Sequence, residues 1–180
     1  MTSQMPPAGA YTIDPGHTEV TFVARHLMVT KVRGRFTDVV GTIVVADRPE
    51  DSSVEAEIKA ASLTTGSPDR DGHVKSPDFL DVDNHPLITF RSTGLRGSGD
   101  AWKLEGELTV RGTVRPVTLD LTYEGGEKDP WGGDRVAFSA RTEVNREDWG
   151  LVWNVALDSG GVLVSKNVKL ELDVQAVRQA

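Results

Sequence analysis

The sequence predicts a single-domain, all-β protein of about eight short antiparallel strands, with one short helix near residues 68–80. Three observations predict it. Several stretches alternate apolar and polar residues, clusters of Gly, Pro and Asp separate them at short intervals, and one polar segment, 67–80, breaks the alternation. Period two sends successive side chains to opposite faces of a pleated strand, so each stretch has a dry and a wet face.

In chain order, residues 17–25 form the first expected strand, with Val20, Phe22 and Ala24 on one side and Val23 on the other. Residues 39–46 set Ile43 and Val45 opposite Val44, the pattern of a strand covered on both faces. In 54–60, Val54, Ala56, Ile58 and Ala60 oppose Glu55, Glu57 and Lys59. Segment 67–80 opens Ser-Pro-Asp. Pro68 suits a first helical turn, so the segment reads as a short helix or ordered loop closing one barrel end. Residues 87–95 carry Ile88 and Phe90 before the breaker Gly94. Residues 104–110, 117–123, 136–144 and 168–176 alternate cleanly, and 145–150 reads as one helical turn. Turns are expected at 47–49, 97–100, Gly112, 125–126, 132–134 and 160–161.

Short strands spaced this way make a sandwich or a closed barrel. About eight strands close a barrel just wide enough to be filled by side chains or to hold one small ligand. The inward positions are rich in Val, Ala, Gly and Thr, and the chain has only five Phe. Such residues fill an eight-stranded interior poorly against the usual packing density. A cavity and a filled core both remain open at this level.

The 180 residues suit one domain. With no cysteine, disulfides, thiolate nucleophiles and Cys-ligated zinc are excluded. Net charge is −7 and no Lys/Arg run appears, which argues against nucleic acid and against attraction to an anionic membrane. No apolar run is long enough for a spanning helix, so stable membrane insertion is not expected. No secretory pattern opens the chain, so the expected location is cytoplasmic, with periplasmic or extracellular placement if a leader is missing. Residues 1–10 are expected to be disordered and 11–178 to form the barrel domain.

Specific residues then resemble a known family. Tyr11, Asp14, His17, Thr18, Val20 and Phe22 are similar to the opening of YceI family proteins, with Tyr11 for the more usual Trp and Thr18 for Ser. His26, Val29, Val32, Gly34 and Phe36 resemble its next block. Ser62, Thr64 and Gly66, followed by Arg70, Asp71, His73, Ser76, Asp78, Phe79, Leu80 and Asp81, resemble its middle signature. Pro86, Ile88 and Phe90 follow, then Gly106 to Val117, then Asn145, Arg146, Asp148, Trp149, Gly150 and Leu151. The blocks occur in order across roughly 11–176. The resemblance implies an extended lipocalin-like barrel with a long hydrophobic pocket for isoprenoid-type or other amphiphilic chains, often as a homodimer. Many members are periplasmic.

The inward apolar positions Phe22, Ile58, Phe90, Leu108, Leu119, Phe138 and Leu170 are the expected pocket lining, with ordinary core as the alternative for each. His26, Arg70 and His73 are the expected head-group or gate residues. The structural alternative is that Arg70 and Asp71 pair with each other and tie the helix to the barrel, as Arg146 and Asp148 pair to lock a turn. The four histidines match no zinc spacing, so no metal and no cofactor is expected. Trp102, Trp131, Trp149 and Trp153 lie near strand ends, as a pocket rim, a dimer contact or a barrel plug.

No nucleophile elbow, phosphate-binding loop or dinucleotide fingerprint occurs. The expected function is to bind and carry or store an amphiphilic long-chain molecule: an isoprenoid, an isoprenoid quinone or a fatty-acid-like chain. The alternatives are an enzyme using His26 or His73 with Asp71 on such a molecule, and a filled-barrel interaction protein.

Overall fold

The computed structural model describes residues 5–99 and 101–180. Its strands form one closed antiparallel barrel of eight staves, each beside its neighbour in sequence. The first stave is a broken pair, β1 (Gly9–Ile13) and β2 (Glu19–His26). A 3-10 turn, Pro15–His17, interrupts it, with the Asp14 carboxylate accepting the Gly16 N–H (3.0 Å). The second stave is β3 (Thr30–Phe36) followed by β4 (Val39–Val45); the third is β5 (Ser53–Lys59) followed by β6 (Leu63–Thr64). Helix α1 (Pro68–Lys75) intervenes before five long strands. These are β7 (Leu87–Ser98), β8 (Ala101–Val110), β9 (Thr113–Lys128), β10 (Asp134–Asn145) and β11 (Asn167–Arg178).

Closure is made by β11. Its first half pairs with β2, Leu170 opposite Phe22, and its last residues pair with β1, Ala176 opposite Ile13. Among the described strands only the two-residue β6, paired with β3 alone, is left with a free edge.

Three differences from the expected strands have physical causes. The expected strand 17–25 begins at Glu19, because His17 belongs to the 3-10 turn. Strand β3 was not expected at all: its inward positions are Val32, Gly34 and Phe36, and the glycine breaks the apolar pattern. That glycine is required, because a Cβ there would come within 2.2 Å of the Phe22 ring, on the opposite residue of β2. The pair 125–126, expected as a turn, is a bulge inside β9, where partners step from Gly125 to Tyr123 as Ala137 gives way to Phe138. Of segment 1–10, residues 1–4 lie outside the described residues, and Gly9 and Ala10 pair with Val45 and Val44.

The helix is shorter than 68–80. Ser67 caps it by accepting the Arg70 N–H (3.4 Å), and Pro68 occupies the first turn. It stops at Lys75 because Pro77 holds Ser76 in an extended conformation. The stretch 145–150 is a 3-10 turn over Arg146–Trp149, begun by the Asn145 side chain and ended by Gly150 at φ 82°.

The two ends of the barrel differ. The far end, where β7 turns into β8 and β9 into β10, is packed by Leu95, Trp102, Leu104 and Leu119 together with Tyr11, Ile13, Ile43, Val45, Val136, Phe138 and Ala176. Tyr11 is 1% exposed and its hydroxyl donates to the Pro7 carbonyl (2.7 Å). The near end carries α1, the β2–β3 hairpin, the 3-10 turn at 146–149 and the segment 150–166.

Candidate functional site: the barrel cavity

Between these ends lies a cavity of about 730 Å³, within the range of small-molecule sites, lined along nearly the whole barrel by inward positions. On β11, Val168, Leu170, Leu172 and Val174 point inward and alternate with exposed Lys169, Glu171 and Asp173, yet the four are only half-buried. An inward side chain in a filled core would be buried; these keep accessible surface because they face open space.

All seven expected lining residues stand on this wall. Phe22, Phe90, Leu108 and Leu170 are half-buried, exposed to the cavity, whereas Ile58, Leu119 and Phe138 are also buried among neighbours. The wall also includes Leu172 and Val174, which the alternation already placed on the inner face of β11, and Trp149 and Trp153, whose irregular surroundings carry no period to read.

At the near end the wall turns polar. His26, Arg70 and His73 are all there, joined by Arg25, Thr30, Thr65, Asp69 and Arg146. Asp69 is the sole carboxylate on the described wall, so this collar is rich in cations.

Several of these residues are held by local bonds. Arg70 and Asp71 do not pair directly, contrary to expectation; both meet Thr65. The Arg70 guanidinium donates to the Thr65 hydroxyl and carbonyl (2.9 Å each), while the Asp71 carboxylate accepts the Thr65 N–H (2.7 Å) and hydroxyl. These bonds tie α1 to the end of β6, and the Thr65 hydroxyl bond, foremost, holds the Asp71 pKa below its ordinary value. His73 shares a hydrogen bond with Asp78 (Nε2 to Oδ2, 2.9 Å), and its ring stands edge-on to Trp153 (4.5 Å between centroids) and Phe79 (5.1 Å). Helix α1 and the segment 150–166 thus touch through aromatic edges.

Arg146 corrects another expectation. It makes no pair with Asp148. Its buried guanidinium donates to the carbonyls of Ser165 (2.9 Å), Leu151 and Val164 (3.3 Å), with its carbon 5.5 Å from the Phe79 ring centroid. The segment's own main chain cages the charge. Burial pushes the Arg146 pKa below its ordinary value, and a guanidinium remains a cation nonetheless.

Trp149 donates from Nε1 to the Leu108 carbonyl (2.9 Å), fixing the 3-10 turn onto β8. Trp102 serves as a plug at the far end, and Trp131 is an exposed turn residue remote from the cavity. Asp71, proposed as a partner for His26 or His73 in the enzyme alternative, is engaged with Thr65 instead. Among the described residues, no three His, Asp or Glu side chains converge as a metal-holding group.

A family model for the YceI-like domain matches residues 11–176. A UPF0312 protein of Pseudomonas putida is 35% identical over 176 residues, covering 96% of this chain and 88% of that protein. One from Azotobacter vinelandii is 36% identical over the same length, with the same coverage of each chain. Among solved structures, Burkholderia cenocepacia BcnA superposes with a TM-score of 0.77 at 18% identity, over 91% of this chain and 98% of that one. A polyisoprenoid binding domain from Saccharophagus degradans superposes at 0.68 and 14% identity, over 96% and 100%. At these identities the structural likeness establishes the barrel fold. The family match and the curated relatives agree across almost the whole chain: it belongs to the YceI-like domain family.

Proposed function

We propose that this protein binds an amphiphilic long-chain molecule, an isoprenoid, isoprenoid quinone or fatty-acid-like chain, and carries or stores it without altering it chemically. The apolar tail lies along the inner wall and the polar head rests at the collar of Arg25, His26, Arg70 and His73. The observation that carries this reading is the half-buried inner face of β11 around an interior of about 730 Å³. The polyisoprenoid binding of the Saccharophagus domain supports the same class of cargo.

The energetics suffice. Each methylene moved out of water contributes about 0.8 kcal/mol, so a tail burying about ten gains roughly 8 kcal/mol before the cost of immobilisation. Because one methylene more or less changes binding only modestly, selection is by length and shape rather than by detailed structure.

Native mass spectrometry of the purified protein, followed by solvent extraction, tests the reading. The expected result is a mass excess that extraction releases as a lipid or prenyl chain, or an apo protein that takes up palmitate or geranylgeraniol. An apo protein that takes up neither contradicts the proposal, and turnover of either probe contradicts the carrier role.

A further inference from the structure

The hairpin joining β2 and β3 ends in three consecutive exposed apolar residues, Leu27, Met28 and Val29, exposed by 47, 52 and 75%. The Val29 N–H closes the turn onto the His26 carbonyl (3.1 Å), and Leu27 and Met28 sit at its centre with φ of 56° and 62°. Those left-handed positions favour Asn, Asp and Gly, and bulky apolar residues occupy them at a conformational cost. An Asn-Gly pair at these two positions would make the same turn with less strain and less exposed apolar surface. The tip of this chain is therefore apolar despite a backbone that suits polar residues and Gly.

The patch continues into the neighbouring segment. Leu27 donates its N–H to Leu163 (2.8 Å), Leu163 donates to Val155 (2.9 Å), and Met28 packs beside Gly161. Val152 and Val155 add exposed apolar surface there. At the base of the hairpin, Arg25, His26 and Thr30 line the cavity, so the patch adjoins its opening.

Charge completes the pattern. Residues 20–36 hold four cations, Arg25, Lys31, Arg33 and Arg35, and no carboxylate, in a chain with 27 acidic residues against 20 basic. All four are exposed. Lys169 lies across from Val23 on the adjoining β11, where Glu171, 3.9 Å from Arg33, is an acidic neighbour. Net charge argued against an anionic membrane, but attraction acts over about a Debye length, roughly 8 Å, and is set by the local patch.

We propose that this hairpin docks the protein on an anionic lipid surface. Leu27, Met28 and Val29 enter the headgroup boundary, Arg25, Lys31 and Arg33 on the tip side of the hairpin meet lipid phosphates, and the cavity mouth faces the bilayer. Docking stands on the surface alone; its purpose, passing cargo between bilayer and barrel, rests on the proposed function.

The test is cosedimentation of the full chain with phosphatidylcholine vesicles, with and without phosphatidylglycerol. Binding is expected only with phosphatidylglycerol, and is expected to weaken at about 0.5 M salt, where the Debye length shrinks to roughly 4 Å. The double variant Lys31→Glu, Arg33→Glu is expected to reduce binding about tenfold or more. Met28→Asp, which suits the left-handed position, is expected to reduce it several-fold. None of these side chains lines the cavity, so both variants should keep wild-type affinity for a fluorescent fatty acid in vesicle-free buffer. That control separates failure of docking from failure of the cavity reading. No vesicle binding, binding indifferent to both variants, or a dimer that Met28→Asp abolishes while vesicles are ignored would each overturn the proposal.

Discussion

The far end and the near end of the barrel are built from the same strands and solve opposite problems. At the far end the aromatic residues Tyr11 and Phe138 are buried in one cluster and Trp102 in a second. Above them Arg135 bridges Asp14 (2.7 Å) and Asp129 (3.1 Å), stitching β10 to the turn after β1. At the near end the inward side chains of β11 and β2 face open space, and the closing pieces are a two-turn helix held at Thr65 and a segment wrapped around Arg146. The contrast teaches where stability and access are placed. Both ends pack a buried apolar cluster, the near end through Phe79, Leu80, Trp149 and Leu151. Only at the near end do local hydrogen bonds of Arg70, Asp71 and Arg146 hold the closing pieces beside a polar opening.

The division is open to attack by substitution, beginning with the largest effect. Trp102→Ala should lower global stability by about 3–5 kcal/mol, as large buried truncations do, measured by urea unfolding. Fatty-acid affinity of the fraction still folded should be nearly unchanged; a collapse in affinity at full folding would place the cargo in the wrong half. The same substitution should then read differently in the two regions. Leu119→Trp overpacks a buried cluster and should cost about 1–3 kcal/mol. Leu170→Trp enters open space, should leave stability within about 1 kcal/mol, and should weaken long-chain binding by tenfold or more. Equal stability losses at both positions would mean that the interior is filled.

Loss of the cap in Ser67→Ala should loosen α1 by about 1 kcal/mol. Amide exchange should quicken over 68–75 and cargo release should accelerate, with the urea midpoint of the barrel unmoved; a shifted midpoint would show that α1 is part of the barrel's cooperative unit. The smallest effect is from pH. The Arg135 hydrogen bond, foremost, holds Asp14 below the usual carboxylate range, the Gly133 N–H does so for Asp129, and the Thr65 hydroxyl for Asp71. A depressed folded pKa contributes stability that is fully present above the unfolded value of about 3.9 and is lost as pH falls below it through the folded value. Stability should therefore be flat in these groups at neutral pH and fall in the acid range. Arg135→Met should flatten that fall, and an unaltered acid limb would remove this lattice from the account.

The wall was legible in the sequence because alternation names a face, and the inward positions of 104–110, 117–123, 136–144 and 168–176 could be read without knowing what they faced. Strand β3 was not, although Lys31, Arg33 and Arg35 alternate with Val32, Gly34 and Phe36. Its missing apolar group is the Phe22 ring, supplied by the neighbouring β2, and a single-strand pattern cannot show that. The near end was least legible. Arg146 was paired with Asp148 because a carboxylate nearby in sequence is visible, whereas carbonyls at Ser165 and Val164 become partners only when the segment folds back. Trp153 sits in an aperiodic segment, and its contact with His73 depends on two loops meeting.

The hollow interior is tested most directly by a crystal structure of the protein with a fatty acid brominated at its terminal carbon. Anomalous scattering should place the bromine inside the barrel beside Leu172 and Val174, with the carboxylate at the collar of Arg25, Arg70 and His73. An interior without bromine, closed by Phe22, Phe90, Leu108 and Leu170 meeting across it, would contradict the account.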